Sequence, residues 1–355
     1  MKLAGLWTAA GRLVAFARPG NWFVSKIPPL LAVAYLEILR SGVAPDEAAQ
    51  LLGWGFYSIV CVAVYGHVIN DMFDLEADRL ANKVNQLAAI PLSGRVLLAV
   101  GFLTGGFLPG WVVGYPVSAW WLLALNYLWP TLYSVPVVRL KERGVLGVAC
   151  DALGSHITPT LLVLALFSGA TGQIGLLAWP PVLWAGCLGL KGILHHQIGD
   201  RENDIQSGLV TFATRTPVES LQRFLTRFNL LVELPVSAVL VATVMPWCPA
   251  AVAALALYLA TETAKYQLGF QFALSADPAT IRASVPFTNE MFYVLWMPMA
   301  AAVQLSLDNP AFAWLPLVHL LVFYPPVAQQ IADWRALIGN LTILYRGRRA
   351  ARPAK

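Results

Sequence analysis

Charged residues are scarce: Lys, Arg, Asp and Glu make up 12% of the 355 residues, against 58% hydrophobic, and the mean hydropathy is +0.63. That balance excludes an ordinary soluble domain, in which about a quarter of residues carry charge. Cysteine is nearly as rare. The four cysteines, Cys61, Cys150, Cys187 and Cys248, have no short paired spacing, so a disulfide framework or thiolate metal site is excluded and they read as small packing residues. A net charge of +5 and a pI near 9.1 would suit nucleic acid, but the basic residues sit beside apolar runs. Attraction to anionic lipid accounts for them better, and no nucleic-acid partner is expected. Residues 1–18 place Lys2, Arg12 and Arg18 around a mildly amphipathic stretch with no long apolar core and no small-residue cleavage site, which reads as an interfacial segment.

What the sequence does contain is apolar runs of about 20 residues, each long enough to cross roughly 30 Å of hydrocarbon as a helix. They fall at about 19–40, 51–70, 94–113, 117–135, 145–167, 177–198, 228–247, 250–272, 286–306 and 311–331. Lipid offers no partner to an open backbone, so the expected fold is all-α, a polytopic transmembrane helix bundle. It forms one domain, 19–335, followed by a basic tail, 336–355, with Arg346, Arg348, Arg349, Arg352 and Lys355. Several spans carry ionisable groups (Asp151, His156, Lys191, His195, His196, Glu233), which are costly in hydrocarbon and face a polar cavity by default.

The second run ends in Asn70-Asp71-Met72-Phe73-Asp74-Leu75-Glu76-Ala77-Asp78. At 3.6 residues per turn, Asp71, Asp74 and Asp78 share one side of a helix, where three carboxylates repel unless something cationic lies among them. Asp200-Arg201-Glu202-Asn203-Asp204 ends the sixth run and again sets two aspartates one turn apart. Two such clusters at membrane edges point to a shared metal site built from Asp71, Asp74, Asp78, Asp200 and Asp204. Oxygen-only ligands favour Mg²⁺, which keeps several waters and takes one or two carboxylates plus substrate phosphate oxygens. Zinc through His196 and Asp200 would need a third soft ligand nearby, and none is evident.

These residues carry a resemblance. Asn70-Asp71-x-x-Asp74-x-x-x-Asp78 is similar to the first aspartate-rich motif of the UbiA superfamily of intramembrane prenyltransferases, and Asp200-x-x-x-Asp204 resembles the second. Tyr133-Ser134-Val135-Pro136-Val137-Val138-Arg139-Leu140-Lys141 resembles that family's basic loop, and Ser207-Gly208-Leu209-Val210-Thr211 the turn after its second motif. The likeness runs over roughly residues 15–305. It implies a nine-helix core, the five aspartates on Mg²⁺, Asn70, Arg139 and Lys141 on diphosphate, and transfer of a prenyl group from a prenyl diphosphate to a lipophilic or aromatic acceptor. Arg201 would offset further diphosphate charge, and Asn21, His67, His196 and Gln197 would orient the acceptor. Lys26 either faces the same site or snorkels to the interface. Trp120, Trp121, Tyr127, Trp129 and Phe292 are candidate π faces for a carbocation.

In two places the chain departs from the family pattern. The loop Leu80 to Gly94 lacks the usual arginine after Asn82-Lys83, and Gln197 stands where many relatives have another aspartate. The charge pattern also asks for a tenth span: nine would leave the arginine-rich tail on the side opposite the aspartate motifs, against the positive-inside rule. Ten put both termini and both motifs in the cytoplasm, at the inner membrane if the source is bacterial. The same motifs serve terpene cyclisation and phosphoribosyl transfer to polyprenyl phosphate. An ion-coupled transporter would use Glu233, but it leaves the Asn-Asp motif unexplained and no inverted repeat is evident.

Overall fold

The computed structural model describes residues 18–80, 83–168, 175–268 and 288–350, without the side chains of Asn21 and 343–350. The expected interfacial segment 1–18 therefore lies outside the described residues except for Arg18. Among the described residues every regular element is helical: α1 (Pro19–Ser41), α2 (Pro45–Phe73), α3 (Leu75–Leu80), α4 (Leu92–Val113), α5 (Val117–Ser134), α6 (Val145–Ala152), α7 (Thr158–Phe167), α8 (Trp179–Gly199) and α9 (Arg201–Gln206). Then come α10 (Phe212–Arg215), α11 (Val218–Phe228), α12 (Leu234–Val244), α13 (Pro249–Gln267), α14 (Met297–Asp308), α15 (Trp314–Val322) and α16 (Tyr324–Ala350). Among the described residues six stretches are long and apolar enough to cross a membrane: Trp22–Ser41, Pro45–Phe73, Leu92–Val113, Val145–Phe167, Leu176–Gly199 and Val218–Val244. The protein is an all-α, multi-pass membrane bundle.

Glycine lets the helices close. Ser58 Oγ on α2 donates to the Gly106 carbonyl on α4 at 2.8 Å, and Tyr127 on α5 donates to the Phe102 carbonyl at 2.8 Å. A Cβ at Gly106 would fall 1.9 Å from the Tyr127 hydroxyl oxygen, so only glycine admits this three-helix contact. In lipid, where apolar surfaces gain little by meeting each other, such close approach and interhelical hydrogen bonding hold helices together. Helix α1 packs on both α7 and α14, so the two ends of the core meet and close the bundle.

Three spans contain a π turn: Leu153–Ile157 before α7, Asn229–Glu233 between α11 and α12, and Phe292–Trp296 before α14. Such turns add a residue to the helix, re-aim the side chains around it and concentrate at functional sites. Here they carry His156, Glu233 and the pair Phe292 and Tyr293, all buried.

The last expected span differs from a single straight helix. Residues 311–331 are two helices, α15 and α16, meeting at Phe323 with a bend of 78° between Pro310–Val322 and Tyr324–Thr342. Tyr324 is followed by Pro325 and Pro326, whose missing N–H groups and ring clashes stop a helix running in from α15 but suit the first turn of a new one. Helix α16 then runs on past residues 335 and 336 without a break.

Candidate active site

The helix expected to carry all of the first motif is interrupted within it. Helix α2 stops at Phe73, Asp74 takes a C-cap conformation, and α3 begins at Leu75. The hydrogen bonding nonetheless continues, with Asp74 N–H on the Asn70 carbonyl at 3.0 Å and Asp78 N–H on the Asp74 carbonyl at 2.8 Å. The second motif is built the same way. Helix α8 stops at Gly199, Asp200 N–H bonds the His196 carbonyl at 2.9 Å, and Asp204 N–H bonds the Asp200 carbonyl at 2.9 Å. Each last aspartate accepts an N–H from five residues on, Lys83 at 2.9 Å and Leu209 at 2.8 Å. Gly208 supplies the left-handed φ of +71° that lets the second turn close. By this correspondence Asn70, Asp71, Asp74 and Asp78 match His196, Gln197, Asp200 and Asp204.

The two turns lie side by side. Lys83, from the loop after α3, reaches Asp200 Oδ2 at 3.5 Å, and Tyr133 at the end of α5 sits within electrostatic reach of both Asp74 and Asp204. Each aspartate of the first motif has a polar partner. Arg18 pairs with Asp71 at 2.8 Å. Lys141 forms a direct ion pair with Asp74, and Arg139 approaches the same carboxylate at 3.3 Å while also pairing with Glu142. Asn85 donates to Asp78 Oδ2 at 2.7 Å and to the Asp71 carbonyl at 2.8 Å. Asn70 Oδ1 accepts from Lys141 at 3.2 Å and from Ser134 at 3.4 Å. In the second motif Thr211 donates to Asp204 Oδ2 at 3.4 Å, and His196 lies 3.8 Å from Asp200.

Burial pulls the Lys141 ammonium below the usual lysine range despite Asp74 beside it. Burial, with Asp200 nearby, pushes the Asp204 carboxyl above the usual carboxylate range. Both shifts describe a pocket in which an unpaired charge is costly.

Other expected residues make structural contacts as well. Arg201, expected on diphosphate, turns Nε onto the Ala213 carbonyl at 3.0 Å, and Gln197 Oε1 accepts from Ala213 N–H at 3.3 Å. Arg201 thereby ties α9 to α10, and Gln197 ties α8 to α10. Asn21 belongs to α1, and its side chain lies outside the described residues. Of the candidate aromatics, Tyr127 and Trp120 each stack on Phe107, Trp121 faces outward, and Phe292 is sealed beneath Trp184 and Tyr258. Arg18, Asn85 and Tyr133 were not assigned to the site from the sequence. Only the requirement that three like charges need a cation nearby pointed toward Arg18.

The donor chemistry of the two turns, carboxylates with an amide and an imidazole beside them, suits a hard cation. Among the described residues no three acid, histidine or cysteine side chains converge tightly enough to hold an ion by themselves.

A helical bundle with two matched aspartate turns at one end, backed by a basic loop, is the frame of an intramembrane enzyme. The chain belongs to the UbiA prenyltransferase family, whose model matches residues 27–272. It is 26% identical to a lycopene elongase/hydratase of Halobacterium salinarum over 207 residues, covering 57% of this chain and 70% of that protein. It is 25% identical to a digeranylgeranylglyceryl phosphate synthase of Hyperthermus butylicus over 214 residues, covering 59% and 68%. In fold it resembles a UbiA homologue of Archaeoglobus fulgidus solved with GPP and Mg²⁺, at a TM-score of 0.58 and 15% identity, over 85% of this chain and 99% of the other. The same homologue solved with DMAPP and Mg²⁺ gives a TM-score of 0.53 at 16% identity, over 83% and 99%.

Proposed function

We propose that this prenyltransferase is Mg²⁺-dependent and moves a prenyl group from a prenyl diphosphate to a small lipophilic or aromatic acceptor, releasing pyrophosphate. The observation that carries the reading is the pairing of the two aspartate turns, joined by Lys83 and Asp200, with Lys141 and Arg139 on Asp74. Asp71, Asp74, Asp78, Asp200 and Asp204 would hold the metal, which when bound supplies Lewis-acid stabilisation to a departing diphosphate. Lys141, Arg139 and Lys83 would meet the diphosphate oxygens, exchanging carboxylate partners for phosphate ones. The bond between the prenyl C1 and the diphosphate oxygen breaks, with the electron pair leaving on oxygen. A new bond forms from C1 to the acceptor, which gives up a proton to water. The A. fulgidus homologue was solved with GPP or DMAPP and Mg²⁺, and the two named relatives act on isoprenoid substrates, which supports this assignment over cyclisation or phosphoribosyl transfer.

Purified protein incubated with Mg²⁺, labelled prenyl diphosphates and an acceptor panel should yield a prenylated acceptor, and none in excess chelator. A ribosylated lipid phosphate, or a cyclic hydrocarbon formed from the donor alone, would overturn the reading. With ten spans, the positive-inside rule would put both aspartate turns on the cytoplasmic side. A reporter fused after Lys355 is expected to be cytoplasmic; a reporter active only on the far side would reverse that orientation.

A further inference from the structure

Helix α16 does not continue the helix it follows. Helix α15 packs on α14 and brings the chain back to Phe323, whose ring stacks on Phe23 of α1 at 5.3 Å, five residues along from the Arg18 that pairs with Asp71. There the 78° bend turns α16 out of line with α15. The first half of α16 is then held to the bundle by Trp296 Nε1, which donates to Gln330 at 2.9 Å, and by Asp333, which pairs with Lys265 at 2.8 Å. Lys265 lies near the end of α13, which runs back from the short link after α12 to the end of the bundle holding the aspartate turns. Hydrogen bonds from Asn289 to Glu262 and from Asn229 to the neighbouring Thr288 carbonyl agree, because Asn229 sits where α12 is entered from the second turn. Both ends of this half of α16 are therefore fixed at the motif end, and the helix crosses the bundle there.

Round its axis, at about 100° per residue, the side chains sort into three flanks. Pro326, Gln330, Asp333 and Leu337 face the bundle. Roughly a quarter turn away, Ile331, Trp334, Ile338 and Leu341 form an exposed apolar row at spacings of three and four. Opposite that row stand Gln329, Ala332, Ala336 and Gly339, small or polar. Two neighbouring residues fix which way the flanks point. Asp333 reaches Lys265, whereas Trp334 meets Trp296 edge-on at 5.9 Å, and Trp296 meets Tyr258 at 6.0 Å. Tyr258 precedes Lys265 by seven residues on α13, so it lies about 10 Å farther from the motif end. The apolar row thus turns toward the interior of the bilayer and the small, polar flank turns away from it.

We infer that α16 is a membrane-surface helix: it lies in the leaflet that holds the aspartate turns, sinks Ile331, Trp334, Ile338 and Leu341 among the acyl chains, and docks its basic end on anionic lipid head groups. A helix at the interface needs this division into an apolar flank below and a polar one above. Charge complementarity selects the lipid. After Asp333 the sequence carries Arg335, Arg346, Arg348, Arg349, Arg352 and Lys355 and no acid, and each cation near an anionic surface adds attraction. Apolar contact alone drives little helix association in lipid, so the row by itself does not call for a second copy of this chain.

The test puts single cysteines on two flanks of the full-length protein, Ile338→Cys in the apolar row and Ala336→Cys opposite. Each is labelled with a nitroxide in bilayers of phosphatidylcholine alone or mixed with phosphatidylglycerol. Cys61, Cys150, Cys187 and Cys248 are all buried, so the added thiol takes the label. In the mixed bilayer, the ratio of collisions with oxygen, which concentrates in lipid, to collisions with an aqueous nickel chelate should be severalfold higher for Ile338→Cys than for Ala336→Cys. That ratio at Ile338→Cys should rise with phosphatidylglycerol content, and adding Arg346→Gln, Arg348→Gln and Arg349→Gln should abolish the rise. Equal ratios on the two flanks would overturn the inference, since the helix would then lie in water or within a span. Dipolar broadening at Ile338→Cys that vanishes on dilution with unlabelled protein would seat a second copy on the row and overturn it too. A ratio indifferent to phosphatidylglycerol would remove anionic lipid as the partner. Leu341→Cys and Ala332→Cys repeat the comparison on the same two flanks if either first variant fails to reconstitute.

Discussion

Asp74→Asn is expected to lower prenyl transfer by about a thousandfold or more while leaving a folded, detergent-extractable protein, and Asp204→Asn to do nearly the same. Asparagine keeps the shape and one acceptor oxygen but removes the charge. In Asp74→Asn the buried Lys141 loses its ion-pair partner, and the diphosphate loses a carboxylate through which metal would be held. Asp204 lies in the second turn, buried against Thr211, and its loss leaves the other side of the same charge uncompensated. Because the turns are built on the same hydrogen-bond scheme and joined by Lys83, neither is expected to act alone. Activity assays at saturating Mg²⁺ check this, and a loss under tenfold in either variant would mean that one turn suffices.

The largest expected loss of stability comes from the interior, away from the aspartates. Glu233 is wholly buried on its π turn, forms an ion pair with Lys191 of α8 and accepts from Asn229 at 2.7 Å. Lys191 also donates to the Thr288 carbonyl at 3.1 Å, and Asn229 to that same carbonyl at 2.8 Å. The network therefore ties α8, the π turn and the chain entering the last core helix into one unit. Glu233→Ala strands a buried ammonium and should cost about 3–5 kcal/mol. The double variant Lys191→Met/Glu233→Leu, with no charge left to bury, should recover most of that loss. Thermal inactivation half-lives in detergent are the measure, since unfolding of such proteins is rarely reversible. A Glu233→Ala variant as durable as the wild type would show that the pair is not holding these elements together.

Much of the frame was legible in the sequence, because the bilayer allows few solutions. Runs of about 20 apolar residues had to be helices. The aspartate spacing, read with the basic loop at Arg139 and Lys141, also located the end of the bundle where the charged groups gather. Contacts between residues far apart in the chain were not legible. Periodicity says that Asp71 needs a cation, but nothing local says that Arg18 supplies it, and Asn85 reaches Asp78 only because the loop folds back. Arg201 reads from the sequence as a cation able to offset diphosphate charge. That its Nε also bonds the Ala213 carbonyl depends on how α10 docks, which nothing local shows. The break at Phe323 was legible in principle, since Pro325 and Pro326 forbid a continuous helix, but the apolar run around them masked it.

The central claim is that the two aspartate turns jointly hold one metal-bound diphosphate. Equilibrium binding of a labelled, non-reacting prenyl thiodiphosphate to the purified protein, with Mg²⁺ and with excess chelator, tests it without depending on the acceptor. The account predicts binding that requires Mg²⁺ in the wild type and is weakened at least tenfold in Asp74→Asn and Asp204→Asn alike. Tight binding in chelator, or Mg²⁺-dependent binding left intact by Asp204→Asn, would contradict it.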